Sequence, residues 1–227
     1  MASPVADTPK TPGIAVPPPA PPVDPPDEGG GWGGPDDSLN PAARPLLTNA
    51  QLAMLVLIAA EAMFFAGLIG AFFVFRFSGQ PWPPPFQPRL PIALTALNTL
   101  FLLASSATMV QAQRALRREN HGMLLRFLGM TAGLGALFLL IQGFEWVRLL
   151  SFGLTASSGV YGSTFYTIIG THAFHVFCGV VWLLAVLVRA ALGAYSPQRR
   201  GAAVCCGMYW HLVVGLWPVL FILVYLI

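Results

Sequence analysis

Five side chains able to carry a proton or ligate a metal, Glu61, Glu145, His172, His175 and His211, stand inside long apolar runs of this 227-residue chain. An ionisable group in such a run is expensive and asks for a physical reason. Glu61 lies fifteen residues before Arg76 and seventeen after Arg44, about 22–26 Å from either at the helical rise. Neither guanidinium can reach it. On a helix its face carries Met54, Leu57, Ile58, Phe64, Phe65, Leu68 and Phe72, whereas Met63, Gly67 and Gly70 point away. Desolvation among such groups disfavours the charged carboxylate. Two readings are open: a proton- or lipid-linked site, or a neutral acid bonded to a serine or a carbonyl of another helix.

The other polar groups are patterned as well. Gln142, Glu145 and Arg148 stand three apart, so Glu145 can pair with Arg148 or contact a neighbouring helix. Thr95, Asn98 and Ser105 form a polar stripe, and a buried Asn98 has to bond across a helix interface. His172 and His175 share one face of one helix, so they cannot clamp opposite sides of a haem. A haem would need His211 together with one of them. No Cys or carboxylate lies at metal-ligand spacing beside them, and hydrogen-bonded packing histidines are the expectation, with no metal site. Cys178, Cys205 and Cys206 all fall in apolar runs and are expected to be buried, inert thiols.

These residues must be positioned by membrane helices. The chain is 56% hydrophobic and only 9% charged, too little polar side chain to cover a soluble globule of this length. Five stretches reach the roughly 20 apolar residues that a span requires: about 47–75, 91–113, 123–149, 163–192 and 202–227. Pro81, Pro83, Pro84, Pro85 and Pro88 break the first pair, and Arg114, Arg117, Arg118 and Glu119 the next. The expected fold is therefore an all-α membrane bundle of five helices over 46–227. Spacings of four between Ala66 and Gly70, Gly67 and Ala71, and Gly129 and Gly133 suggest close helix packing.

Residues 1–45 hold thirteen of the 21 prolines and a glycine cluster, and contain no apolar segment of signal-peptide type. Such a stretch reads as a disordered Pro/Gly-rich tail. Nine Lys and Arg residues fall on the N-terminal side of the membrane, against Arg76, Arg89 and Arg148 on the other, which places the N-terminus in the cytoplasm and the C-terminus outside. The net charge of +3 is accounted for by this asymmetry and does not indicate nucleic-acid binding.

The order of the motifs resembles a known family. Glu61–Ala62–Met63–Phe64–Phe65, Asn98–Thr99, Gln142 to Trp146, the run Val160 to Tyr166 continuing into Gly170 to Val176, and Tyr209–Trp210–His211 with Trp217 are similar in order and spacing to subunit III of the haem–copper terminal oxidases. The resemblance covers about 47–227 and is to a short, five-helix bacterial form; the mitochondrial form has two further helices at its start. It implies a non-redox accessory subunit of a proton-pumping oxidase, most simply a cytochrome c oxidase. Such a chain packs on subunit I, with subunit II and small subunits as further partners. It binds phospholipid and supports proton uptake and lasting activity; haem and copper belong to partner subunits, and the chain carries no cofactor of its own. By the resemblance Glu61, with Phe64 and Phe65, lines a lipid cleft, while Asn98, Gln142, Glu145, His172, His175, Trp210 and His211 form a structural polar network. One departure is Val214, where the family often has an acid.

The implied location is the bacterial inner membrane. Alternatives within the family are subunit III of a quinol oxidase and an accessory subunit of nitric oxide reductase. Outside it stand a membrane cytochrome b, with haem on His211 and a span-four histidine, and a transporter built on Glu61 and Glu145, for which no inverted repeat is seen. The arginine asymmetry yields a direct test of topology. A reporter fused after Ile227 should be active only outside the cytoplasm; cytoplasmic activity would overturn the span count or the orientation.

Overall fold

A computed structural model describes residues 47–79, 92–193 and 200–226. The Pro/Gly-rich segment 1–45, with its expected disorder, lies outside the described residues. Five helices follow one another: α1 (Asn49–Arg76), α2 (Ile92–Arg117), α3 (His121–Ser151), α4 (Val160–Ala191) and α5 (Gly201–Phe221), the last continuing as a π-helical turn (Ile222–Leu226). No strand occurs among the described residues. All five helices are long and apolar enough to cross a bilayer, and their ends fall within a few residues of the spans expected from the sequence.

Local chemistry sets the ends. Thr48 caps α1 by accepting from the Gln51 N–H, and the Gln51 side chain accepts from the Thr48 N–H in return. Asn120 caps α3 by accepting from the Met123 N–H. The reversal between α2 and α3 is tight, and Glu119 takes a φ of 56°, a conformation that costs a non-glycine residue. The α3–α4 turn is anchored from above: the Tyr166 hydroxyl donates to the Leu154 carbonyl at 2.8 Å, and Leu154 is fully buried. In α5, Pro218 provides no N–H for the turn before it, and the helix loosens into its π-turn four residues later.

α2 packs on α3 and α5, α4 on α3 and α5, and α1 on α5 and, less extensively, α4. The core lies where α2, α3, α4 and α5 meet, around the fully buried Trp210, Trp217 and Phe138. Trp210 fits because two neighbours are glycines. A methyl group added at Gly135 would stand 2.5 Å from the Trp210 ring, and one at Gly179 3.0 Å from it. α1 is different: of its 28 residues only Met54, Phe65 and Phe72 are buried.

The expected small-residue seams are not where the helices touch. A Cβ added at Gly67, Gly70, Gly129 or Gly133 would meet nothing within 4 Å; Gly67, Gly70 and Gly133 are exposed on the outer surface of the bundle, and Gly129 is half-buried. Spacing alone cannot distinguish an internal seam from a lipid-facing one, whereas the contact with Trp210 does. Accordingly Gly135→Leu should destabilise the bundle by about 1–3 kcal/mol, the range for overfilling a packed core. Gly133→Leu should leave the thermal unfolding of the detergent-solubilised chain nearly unchanged. Equal tolerance at both positions would contradict this packing.

Candidate functional site: an acid–imidazole pair between two helices

Glu61 does have a polar partner, and it is a histidine rather than a serine or a carbonyl. His175 Nε2 on α4 lies 3.0 Å from Glu61 Oε2 on α1. The other ring nitrogen of His175 fixes the proton count. Nδ1 lies 2.7 Å from the Thr171 carbonyl, which can only accept, so Nδ1 carries a hydrogen. A hydrogen bond across the 3.0 Å contact then requires one more proton between Oε2 and Nε2. Either a carboxylic acid donates to a neutral imidazole, or an imidazolium donates to a carboxylate. Both forms have no net charge, which is what a low-dielectric site favours.

Aromatic rings enclose the pair on one side. Phe65 lies edge-on to His175 with ring centroids 5.3 Å apart, and Tyr209 of α5 donates its hydroxyl to the His175 carbonyl at 3.3 Å. The residues expected to line a cleft with Glu61 diverge: Phe65 is buried in the core, while Phe64 faces outward, 48% exposed. The same α1–α4 seam continues about two helical turns away into a cavity of about 140 Å3, lined by Leu68, Ala71, Phe75, Ser163, Thr167 and Ile168 among others.

The polar residues expected to form one network fall into separate groups. Glu145 is buried and accepts from the Thr95 hydroxyl (2.9 Å) and the Gln142 amide (3.0 Å); the same amide reaches the Tyr225 hydroxyl at 3.5 Å. Arg148 is not its partner: the guanidinium sits 5.8 Å from the centre of the Phe152 ring. Asn98 donates to the Phe138 carbonyl at 3.2 Å, and Trp210 donates to Ser105 at 3.2 Å. His172 is fully buried, tilted against Trp217, and its Nε2–H donates to the Val213 carbonyl at 3.0 Å. His211 Nδ1 lies 2.7 Å from the Ser106 hydroxyl on α2. Tyr225, Thr99 (which accepts from Trp217 at 2.8 Å) and Ser106 were not among the expected site residues. Thr99 stands in the Asn98–Thr99 motif, whereas Tyr225 and Ser106 are marked only by the partner across the interface.

Comparison with known proteins covers this same helical region. The family described as Cytochrome c oxidase subunit III matches residues 43–227. The chain belongs to the cytochrome c oxidase subunit III family. A cytochrome c oxidase subunit 3 of Synechocystis is 35% identical over 175 residues, 77% of this chain and 74% of that protein. A probable cytochrome c oxidase subunit 3 of Mycobacterium leprae is 35% identical over 173 residues, 76% of this chain and 85% of that protein. The subunit 3 of Corynebacterium diphtheriae gives 35% over 176 residues, with 76% and 85% covered. This is thus a multi-pass membrane protein of a haem–copper oxidase subunit family. The ordered motifs of the sequence lie on consecutive helices of one bundle: Glu61 on α1, Asn98 on α2, Gln142 and Glu145 on α3, His172 and His175 on α4, and Trp210 and His211 on α5.

The Glu145 cluster can be tested by removing its shared acceptor. Glu145→Leu leaves the Thr95 hydroxyl and the Gln142 amide without it and should cost about 1–3 kcal/mol in thermal unfolding. Glu145→Gln, which retains a carbonyl oxygen, should cost less. Thr95→Val combined with Glu145→Leu should cost less than the sum of the two single changes; strict additivity would show that the two side chains do not interact.

Proposed function

We propose that this chain is the non-redox accessory subunit III of a proton-pumping cytochrome c oxidase. The observation that carries the reading is the family match, which spans all five helices, and the Glu61–His175 contact between two of them supports it. The names of the relatives favour cytochrome c over quinol as electron donor. Oxygen reduction takes place on haem and copper in partner subunits, chiefly subunit I, with subunit II delivering electrons. The histidines of this chain support that division. His172 commits one nitrogen to a backbone carbonyl, His175 commits both, and His211 commits Nδ1 to a serine.

The lipid role rests on α1. Most of this helix is uncovered, and the cavity beside it is floored by α4 and lined by apolar side chains and hydroxyls, suited to a phospholipid acyl chain. The Glu61–His175 pair lies further along that seam, where a proton can pass between the carboxyl and the imidazole without stranding a charge in lipid. The chain sits in the bacterial inner membrane with its N-terminus in the cytoplasm. It supports proton uptake and endurance of the oxidase rather than the redox step.

Selective modification tests this. An apolar carbodiimide reacts with a protonated carboxyl reached from lipid, so Glu61 should label and Glu119, outside the spans, should not. Glu61→Gln retains the shape and a donor toward His175 Nε2. The complex should assemble and reduce oxygen at its normal initial rate, with loss appearing in proton coupling or after many turnovers. Immediate loss of oxygen reduction in a fully assembled complex carrying Glu61→Gln would refute the accessory role.

A further inference from the structure

α1 and α2 both pack on α5, and a strip of α5 between them remains partly uncovered: Met208, His211 and Leu212 are half-buried, while Gly215 and Val219 are exposed. At its middle is the Ser106–His211 bond. Among the described residues the Ser106 hydroxyl is bonded to His211 Nδ1 alone, at 2.7 Å. In the tautomer that gives the hydroxyl hydrogen an acceptor, it donates to Nδ1 and the ring carries its own hydrogen on Nε2. That Nε2–H is not buried and meets no acceptor among the described residues.

Depth makes this donor significant. His211 is ten residues into α5, about 15 Å along the axis, so it lies near the centre of a hydrocarbon core about 30 Å thick. Acyl tails at that depth accept no hydrogen bond, and water is absent. An acceptor has to come from another polypeptide. The surroundings are shaped for close approach. On α5, one turn from His211, Gly215 has open space where a Cβ would be. On α2, next to Ser106, Ala107 is exposed, and so is Ala104, three residues before it on the same face. The uncovered glycines Gly67, Gly70 and Gly133 on α1 and α3 have no such polar group beside them among the described residues.

We propose that the α2–α5 seam centred on His211 is the face by which this chain docks on a transmembrane helix of another oxidase subunit. That helix presents a hydrogen-bond acceptor, a carbonyl or hydroxyl oxygen, to His211 Nε2–H at mid-membrane. Ser106 is a positioning residue: by occupying Nδ1 it holds the ring's hydrogen on the outward nitrogen. The proposal rests on the accessory-subunit reading for its partner, while the surface itself is assigned by geometry.

The experiment uses the full chain in its native membrane. A photoreactive phenylalanine analogue is placed at position 215, or at position 133 as control, and the complex is then purified in mild detergent. The analogue at 215 should cross-link to a haem-bearing subunit, and the one at 133 should not. Gly215→Leu and Ala107→Leu should each lower the amount of this chain retained per haem at least tenfold. Gly133→Leu should leave it unchanged, all variants being inserted and thermally stable by themselves. Cross-links from 215 only to lipid or to a second copy, or full retention of Gly215→Leu, would overturn the proposal. A cross-link from 215 to another membrane protein, in cells where the unmodified chain purifies with no haem-bearing subunit, would remove the oxidase partner and sink the accessory-subunit reading, while retaining the surface.

Discussion

Inside a bilayer a polar group has nothing to bond except other protein, and in this chain that constraint falls most heavily on α2. Its inward face carries Thr95, Asn98, Thr99 and Ser105, all buried. Each finds a partner that also fixes a neighbour: Thr95 holds Glu145 on α3, Asn98 reaches the Phe138 carbonyl on α3, Thr99 receives Trp217, and Ser105 receives Trp210, both from α5. Interhelical hydrogen bonds in membranes contribute only about 0.6 kcal/mol each on average. Their specificity matters more, because a one-residue slip of α2 would break all four interhelical bonds at once.

The two tryptophans translate that register into packing. Each donates its indole N–H to α2 and turns its ring toward the interior, Trp210 against Gly135 and Gly179, Trp217 against Phe138 and His172. Small residues are therefore needed on α3 and α4 where Trp210 enters. α1 shares little of this order. It touches the bundle through a thin stripe ending at Phe72 and through the Glu61–His175 bond, which leaves it the helix most available to lipid.

Much of this architecture was legible beforehand. Helix number and limits follow from apolar length, a signal carried within each segment, and the ordered motifs pointed to the family that the comparisons show. Partnerships were far less legible. The helical periodicity puts Glu61 on a bulky apolar face, which is true of α1 taken alone. Its histidine lies 114 residues away, and only the side-by-side packing of α1 on α4 reveals it. A spacing of three offers Glu145 either Arg148 or a neighbouring helix, and the acid turns inward to Thr95 of α2 while the guanidinium stays at the outer end with Phe152. Gly67 and Gly70 show the same limit: periodicity names a face without saying what lies against it.

The two intramembrane acids show how the same group can serve different ends. Glu145 is sealed, and it is bonded to a hydroxyl and an amide, neither of which can take up its proton near neutral pH. With no base among these partners to exchange with, the acid acts as a fixed acceptor that ties α2 to α3. Glu61 is half-buried beside an imidazole, the one side chain whose unperturbed titration lies near neutrality. The Thr171 carbonyl holds a hydrogen on His175 Nδ1, leaving Nε2 as the only nitrogen that can exchange with the acid. The pair therefore holds a single shared proton, with no net charge whichever partner carries it. An acid that can pass its proton to a neighbour without creating an isolated charge suits a proton-linked role, whereas a sealed one suits a clasp. The difference comes from the helix that each acid faces.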